Sequence, residues 1–364
     1  MNIIYALAFF LAALLFLAAG ITRFGVWQIE RANPPIGRFK TVNNTKLHYV
    51  HIKNDAGTDM PPIVFLHGAS GNLRDQMSIY GDTLKDRAEM LFIDRPGHGY
   101  SKRGPSTNDR PDGQAATIAA LLDSLGIEKA IIAGHSFGSI VTLSFALNHP
   151  DKTIGTLLMS PVSHPWPGGV SWYYNLTAMP IIGHIFSETL ALPAGRRQLA
   201  GGTACVFAPN EPTPDYTNKT AVRLVLRPYH FRNNAADVAG LYDYVSEISP
   251  RYKEIKTPSI IVTGNRDAIV LPEIHSRGLD ADIENSTLVW IKNVGHKSDY
   301  IASDIMVAAL ENLAGASNDL FAMRDALELK VANDAFGPVE NCLDNEEFRD
   351  KVRMELEQKT VTDS

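Results

Sequence analysis

Residues 130–143, with the sequence AIIAGHSFGSIVTL, decide the fold of this chain. Residues 131–133 are apolar and predict a short buried strand, and an apolar pattern of helical period follows Gly138. Between them, Gly-His-Ser-Phe-Gly matches the G-x-S-x-G pattern in its required context of strand, sharp turn and helix. So tight a turn leaves no room for a Cβ atom two residues before or after its central serine, which explains Gly134 and Gly138. We predict that Ser136 lies at the tip of this turn with its hydroxyl lifted out of the sheet.

A serine hydroxyl is a poor nucleophile at neutral pH and needs a base to take its proton. His296 follows the last predicted strand and therefore falls at the same sheet edge as Ser136. Asp267 follows the predicted strand at residues 259–262, where a carboxylate can hold the tautomer of the base. The chain order Ser136, Asp267, His296 predicts a catalytic triad.

Other residues compete for the roles of base and acid. His275 is the other histidine downstream of the acid, but it precedes the last strand in a helix-like segment. Asp299 lies three residues after His296 and is expected to cap the helix that follows. The end of the preceding strand carries Ser160 and Pro161, so it offers no carboxylate there.

The negative oxygen of a tetrahedral intermediate needs two backbone N–H donors. One candidate is the amide of Phe137, directly after the nucleophile. The other comes from the loop after the predicted strand at residues 63–66, which reads HGASGN. Gly68 permits close approach of the backbone, and the amide of Ala69 is the predicted second donor.

An uncharged apolar run occupies residues 3–21. As a helix it spans about 28 Å, close to the hydrocarbon thickness of a bilayer, and residues 1–22 are predicted to be a single transmembrane anchor. A cleaved signal peptide is the alternative, but the run is long and no Lys or Arg precedes it. The cations that follow place the body in the cytoplasm by the positive-inside rule. Only Arg23 lies close to the run, so the side of the membrane stays open.

The composition is that of a globular protein, with 364 residues, 45% hydrophobic and 20% charged. The net charge is −6, and residues 316–364 contain 12 acidic and 6 basic residues, a difference that equals the whole excess. The rest of the chain is close to neutral, which argues against a nucleic acid partner. The two cysteines, Cys205 and Cys342, form neither a disulfide framework nor a metal pattern and are expected to be free thiols. No metal or organic cofactor is implied.

Buried strands alternate with helices along most of the chain, which predicts an α/β fold with a mainly parallel sheet covered on both faces. A hairpin around Asn43 and Asn44 precedes them. About a hundred residues rich in aromatics and prolines then separate two strands, and they predict a helical cap over the carboxyl edge of the sheet. The predicted units are residues 36–162 (core), 163–250 (cap), 251–314 (core) and 315–364 (acidic helical tail). The tail has helical spacing at residues 320–331 and 346–359, and its partner stays open.

From Phe39 to about Leu313 the chain resembles the α/β-hydrolase family, in the branch with a helical cap and a serine nucleophile. The matching elements are His67-Gly68, DRPGHGYS at residues 94–101, the Gly-His-Ser-Phe-Gly turn, Asp267 and Gly295-His296. Epoxide hydrolases and haloalkane dehalogenases of this branch carry Asp at the nucleophile position, so Ser136 argues against both. Ser139 departs from the pattern, because many relatives have glycine there.

These observations predict a membrane-anchored serine hydrolase that cleaves carboxylic esters of small to medium apolar substrates through an acyl-enzyme. One alternative is hydrolysis of an amide, and another is cleavage of a carbon–carbon bond in a diketone-type substrate. For the latter, a cap arginine would bind a substrate carboxylate, and the candidates are Arg196, Arg197, Arg223 and Arg227. A non-catalytic binding protein on the same fold is the alternative from another functional class.

Overall fold

An eight-stranded sheet forms the centre of the computed structural model, which describes residues 2–53, 57, 59–167 and 169–337. The strands are β1 (Arg38–Val42), β2 (Thr45–Ile52), β3 (Ile63–Leu66), β4 (Met90–Ile93), β5 (Ala130–His135), β6 (Thr153–Met159), β7 (Ser259–Gly264) and β8 (Ser286–Ile291). Their order across the sheet is β1-β2-β4-β3-β5-β6-β7-β8. Six neighbouring strands of the sheet, β4, β3, β5, β6, β7 and β8, run parallel, which confirms the predicted sheet.

Helices surround the sheet and fill the connection between β6 and β7. They are α1 (Asn2–Ala32), α2 (Arg74–Thr83), α3 (Pro111–Leu125), α4 (Phe137–Asn148), α5 (Trp172–Ala178), α6 (Ile182–Thr189), α7 (Ala191–Phe207), α8 (Tyr216–Lys219), α9 (Pro228–Ala239), α10 (Leu241–Ile248), α11 (Pro272–Asp282), α12 (Ser298–Ile301), α13 (Ser303–Leu313) and α14 (Leu320–Val331). Short 3-10 helices lie at Ser106–Asp109, Pro150–Lys152, Val222–Leu226 and Ser249–Glu254.

The core consists of two apolar clusters, one on each face of the sheet. Val64 and Leu66 of β3 join residues of α3, α4, α10 and α11 in one cluster. Ile63 and Phe65, which alternate with them, join residues of α2, α13 and α14 in the other. Because successive side chains of a strand point to opposite faces, burial of all four residues requires helices on both sides.

The hairpin at the start of the sheet forms as predicted. Asn43 and Asn44 connect β1 to β2 with φ angles of 45° and 57°. Asparagine tolerates this left-handed conformation, and two such residues make the tight turn that suits antiparallel strands.

The long connection from β6 to β7 is helical, as the absence of strand patterns predicts. Helices α5, α6, α7 and α9 pack together through the pairs α5–α6, α5–α9, α6–α7, α6–α9 and α7–α9. We call these four helices the cap layer. Helix α10 does not belong to that layer, because Leu241, Val245 and Ile248 lie in the core cluster. The division of the chain into units with limits at 162, 250 and 314 stays a prediction, and these contacts place α10 with the core although it precedes residue 250.

The apolar N-terminal helix continues past residue 22. Within the described part of the chain, α1 is the one helix long and apolar enough to cross a membrane, by length and composition. Its second part is packed on the protein: Thr22, Gly25 and Ile29 are buried, at helical spacing. Ile29 belongs to an apolar cluster with Leu192 and Leu226. Residues 22–32 therefore act as part of the folded body.

One helix of the predicted C-terminal tail lies within the described residues. Helix α14 packs on the sheet through Leu320 and Val331, so the predicted helix at residues 320–331 is a docked helix. The second predicted tail helix, at residues 346–359, lies outside the described residues.

Cys205 in α7 is disulfide-bonded, so the expectation of a free thiol is wrong for this residue. The other cysteine, Cys342, lies outside the described residues.

Candidate active site

Ser136 occupies the turn between β5 and α4. Its φ and ψ angles are 52° and −118°, a conformation that L-residues rarely adopt. A Cβ atom on Gly138 would overlap the carbonyl oxygen of Leu66, and a Cβ atom on Gly134 would overlap Thr142. The two glycines are therefore required by close packing around the turn, as the sequence predicts.

His296 and Asp267 meet at the carboxyl ends of β7 and β8. The Nδ1 atom of His296 lies 2.7 Å from Oδ2 of Asp267, and both side chains are buried. The other oxygen of Asp267 accepts hydrogen bonds of 2.9 Å from the backbone N–H groups of Ile269 and Val270. These bonds orient the carboxylate so that His296 donates from Nδ1, which leaves Nε2 as the acceptor nitrogen of the ring.

His135 connects the serine turn to the histidine loop. Its Nε2–H donates to the carbonyl oxygen of His296 at 3.1 Å, and the two ring centroids are 4.9 Å apart. Burial, followed by the charge of Lys297, lowers the pKa of His135 well below its ordinary value, so the ring is neutral at physiological pH. The structure thus brings His296 and Asp267 together and packs His135, the neighbour of Ser136, against the histidine loop. The role of Ser136 with this pair stays a prediction.

The loop after β3 reaches the serine turn at Gly68. A Cβ atom at this position would lie 3.1 Å from the Cβ of Ser136 and 3.1 Å from Nδ1 of His135, so glycine permits the approach that the sequence suggests. The carbonyl oxygen of Gly68 accepts hydrogen bonds from Nδ1 of His67 at 2.8 Å and from Arg95 at 3.3 Å. In a trans peptide the C=O and N–H groups point in opposite directions, so these bonds also fix the direction of the Ala69 N–H.

His67 is held in one tautomer beneath this loop. Its Nδ1 donates to Gly68, so its Nε2 accepts the backbone N–H of Arg95, at 3.1 Å. Burial, and next the charge of Arg95, lower the pKa of His67 to about 3. A neutral His67 is therefore a fixed support of the loop that carries Ala69. Sequence reasoning assigned no role to it or to Arg95.

The cap layer is tied directly to the loops of the site. Asn234 of α9 accepts the backbone N–H of Ser70 at 2.6 Å and donates to the Ser70 hydroxyl at 3.2 Å. At the loop that carries His296, the backbone N–H of Lys297 donates to the carbonyl oxygen of Val206 in α7 at 3.0 Å. The predicted position of the cap over the carboxyl edge agrees with these contacts.

A buried charge cluster lies beside His296 and consists of Asp75, Lys297 and Asp299. The Nζ atom of Lys297 lies 3.0 Å from Asp75 and 3.1 Å from Asp299, and the three side chains are at most 8% exposed. Burial alone would lower the pKa of Lys297, but Asp299 and Asp75 together raise it above its ordinary value. Lys297 is therefore charged and holds the segment that follows His296 against α2.

This arrangement corrects the expected role of Asp299. The residue lies inside α12, its carboxylate pairs with Lys297, and the helix has no side-chain cap. The possible ligand atoms of Asp75, His135 and Asp299 also lie within 4.8 Å of one another, and these residue types can bind a metal ion. The Lys297 ammonium already supplies the cation between the two carboxylates, so these residues do not fit a metal site in this state.

The rival base lies elsewhere. His275 is buried in α11, and its Nδ1 accepts the backbone N–H groups of Ser163 and His164 at 3.1 and 3.0 Å. Burial, followed by the charge of His164, lowers the pKa of His275 to about 3. Ser139, the departure from the family pattern, is accommodated because its hydroxyl donates to the carbonyl oxygen of Gly134 at 2.7 Å.

Three of the four candidate cap arginines already have partners in the protein. Arg196 donates to Gly25 and Gln28 of α1, and Arg223 donates to Asn218. Arg227 is buried, donates to Glu30 and contacts the ring of Tyr100. Arg197 is exposed.

The family model for the alpha/beta hydrolase fold matches residues 61–298. Because this match spans more than half of the chain, the chain belongs to the α/β-hydrolase family. The resemblance of the motifs and the observed sheet agree with this assignment.

The relatives and solved structures that match this chain include enzymes. The chain is 26% identical over 272 residues to a 2-hydroxy-6-oxononadienedioate/2-hydroxy-6-oxononatrienedioate hydrolase of Comamonas testosteroni, covering 73% of this chain and 92% of the relative. It is 25% identical to a 2-hydroxy-6-oxo-6-phenylhexa-2,4-dienoate hydrolase of Burkholderia cepacia, covering 76% and 95%. Its fold is similar to that of an enol-lactonase from Burkholderia xenovorans LB400, with a TM-score of 0.60, 19% identity and coverage of 76% and 99%. The protein is a hydrolase.

Proposed function

We propose that this hydrolase is membrane-anchored and cleaves carboxylic esters of small to medium apolar substrates, with Ser136, Asp267 and His296 as its triad. The observation that carries the proposal is the contact of 2.7 Å between His296 Nδ1 and Asp267. It is supported by the left-handed turn at Ser136, whose neighbour His135 donates to the carbonyl oxygen of His296. An unprotonated Nε2 on His296 is the base that the serine requires.

In the proposed reaction, the Oγ atom of Ser136 attacks the ester carbonyl carbon while His296 takes its proton. The backbone N–H groups of Ala69 and Phe137 donate to the negative oxygen of the tetrahedral intermediate. The carbon–oxygen bond to the alcohol then breaks, and His296 returns the proton to the leaving alcohol. A water molecule, deprotonated by His296, attacks the acyl-enzyme, which releases the acid and restores the Ser136 hydroxyl.

A fluorophosphonate probe tests the nucleophile directly, because it reacts with an activated serine hydroxyl. We expect labelling of the wild-type protein at Ser136 and loss of labelling in Ser136→Ala. Ser139→Ala is a control, since Ser139 is buried and its hydroxyl is bonded to Gly134. Labelling that persists in Ser136→Ala would mean that the nucleophile is another residue.

Carbon–carbon cleavage by the same triad is a second candidate, favoured by the relatives that hydrolyse 2-hydroxy-6-oxo-dienoates. The substrates of those relatives carry a carboxylate, for which a cation is the expected partner. The contacts of Arg196, Arg223 and Arg227 with protein groups favour the ester instead. Turnover of p-nitrophenyl esters of increasing chain length, compared with a 2-hydroxy-6-oxo-dienoate, separates the two candidates.

The anchor of the proposed enzyme is the apolar part of α1, which is long enough to cross a bilayer. The disulfide at Cys205 supports a body on the oxidising side of the membrane, because such bonds are rare in the cytosol. That side is opposite to the one that the charges after α1 suggest. Protease digestion of sealed vesicles, with and without detergent, distinguishes the two orientations.

A further inference from the structure

Helix α6 has an inverted distribution of polar and apolar residues. Its buried positions are small or polar, namely Gly183, Ser187 and Thr189. Its exposed face, together with the residues on either side of the helix, is mainly apolar, with His184 as the exposed polar residue of α6. We call this surface the cap patch, and it consists of Met179 (48% exposed), Ile181 (76%), Ile182 (52%), Ile185 (46%) and Leu190 (56%).

Ordinary packing accounts for the inner face of α6. Gly183 lies so close to Thr177 that a Cβ atom would overlap its carbonyl oxygen, and the Ser187 hydroxyl accepts a hydrogen bond of 2.7 Å from Arg232. A surface helix of a soluble domain turns its apolar side to the core and its polar side to water. The opposite arrangement in α6 indicates that its outer face is covered by something apolar.

The cap patch lies beside the helix that is proposed to enter the membrane. The hydroxyl of Thr22 in α1 donates to the carbonyl oxygen of Thr189, the last residue of α6, at 3.4 Å. Arg23 pairs with Glu188 at 2.7 Å. Ala18 and Ala19, which precede these contacts, are partly covered, whereas residues 3–17 are exposed. Helix α6 therefore lies where α1 leaves the body.

The length of α1 places this point relative to a bilayer. Residues 3–21 span about 28 Å as a helix, which matches a hydrocarbon core of about 30 Å. Thr22 then lies at the edge of that core, and the C-terminal end of α6, which is bonded to Thr22, lies at the same level. An amphipathic helix at this depth has its apolar face among the acyl chains and its polar face towards the body.

The residues around the cap patch fit the polar zone of a phospholipid bilayer. Trp27 and Trp172 are 50% and 70% exposed, and tryptophan is enriched at the membrane interface. Arg23 of α1 and Arg197 of α7 are exposed cations. They provide favourable partners for lipid phosphates.

We infer that the cap patch is a second membrane contact, inserted at the acyl-chain boundary of the phospholipid bilayer that α1 crosses. This inference rests on the proposed anchoring, but it adds a contact that a single anchor does not predict. It places the cap layer, which is bonded to the loops of the site through Asn234, at the lipid surface.

The test uses the full-length protein reconstituted in vesicles of phosphatidylcholine with a minor fraction of phosphatidylglycerol. A phosphatidylcholine that carries a diazirine in its acyl chain is photoactivated, and lipid adducts are mapped by mass spectrometry. We expect adducts in residues 3–21 and in residues 179–190. Leu329 of α14 is the matched control, because it is 82% exposed and its helix packs next to β8, and it should carry none.

The double variant Ile182→Asp/Ile185→Asp should reduce adducts in residues 179–190 by about tenfold, while adducts in residues 3–21 persist. Its melting temperature should equal that of wild type, since both side chains are exposed. Leu329→Asp should leave the adduct pattern unchanged.

Each contrary outcome has a distinct meaning. Adducts confined to residues 3–21 would overturn the inference and leave the anchor intact. Adducts in neither segment would overturn both the inference and the proposed anchoring. Crosslinks between two copies of the chain through Ile182, without lipid adducts there, would show that a second copy covers the patch and would also overturn the inference.

Discussion

Replacement of Lys297 by methionine should destabilise the protein strongly, because it removes the cation that pairs with two buried carboxylates. Lys297 lies 3.0 Å from Asp75 and 3.1 Å from Asp299, and its side chain is 3% exposed. Removing one partner of a buried ion pair costs about 3–5 kcal/mol, since the remaining charge has neither water nor a counter-ion. In a chain of this size such a loss lowers Tm by about 4–7 °C.

Thermal unfolding of the full-length protein in detergent measures this effect, with Lys292→Met as the control. Lys292 also pairs with a carboxylate, Glu328, at 3.4 Å, but its side chain is 76% exposed. Exposed pairs contribute about 0–1 kcal/mol, so the control should change Tm little.

The dependence of this loss on pH identifies its cause. In Lys297→Met, one of the two carboxyls can become neutral by taking up a proton, and acid supplies that proton. The loss of stability should therefore be smaller at pH 5 than at pH 8. A Tm within about 2 °C of wild type, or a loss that does not vary with pH, would refute the assignment of a buried charged cluster.

Three further changes test other parts of the structure. Asp267→Asn should lower turnover of the proposed ester reaction by up to about ten-thousand-fold while the fold is kept, because the amide favours the wrong tautomer of His296; unchanged turnover would exclude Asp267 from the triad. His275→Asn should reduce the acid sensitivity of folding: the folded pKa of His275 is lowered to about 3, so its contribution is complete above the unfolded pKa of about 6.5 and is lost as pH falls from there towards 3. Urea unfolding should show a pH slope shallower by about 1.4 kcal/mol per pH unit in this window, and an equal slope in both proteins would contradict a buried neutral ring. Ile29→Ala should cost about 2–5 kcal/mol in thermal unfolding, because Ile29 is 3% exposed, whereas Ile21→Ala, at 55% exposure, should cost little; equal effects would mean that residues 22–32 are not part of the body.

The packing of α1 changes the expected behaviour of truncated proteins. A chain that begins near Phe39 lacks Ile29 and exposes Leu192 and Leu226, so it loses part of an apolar cluster. A chain that begins at Ile21 keeps this cluster and removes most of the apolar run. The second truncation therefore separates anchoring from stability better than the first.

The sequence alone determined the fold class and the predicted triad, because each depends on local rules. The strand, turn and helix around Ser136 follow from apolar periodicity and from glycines that close packing requires. Asp267 and His296 could be assigned because the carboxyl ends of parallel strands lie at one edge of the sheet, and each residue follows such a strand.

Only the tertiary structure decided which buried charges and apolar faces meet. Asp75 and Lys297 are 222 residues apart, and no local sequence pattern around either residue indicates its partner. The same holds for Thr22 and Thr189, whose contact places α6 beside the anchor. Periodicity shows that a helix has two faces, but it does not show what covers each one. That depends on long-range packing, and here packing put the small polar face of α6 inside and its isoleucines outside.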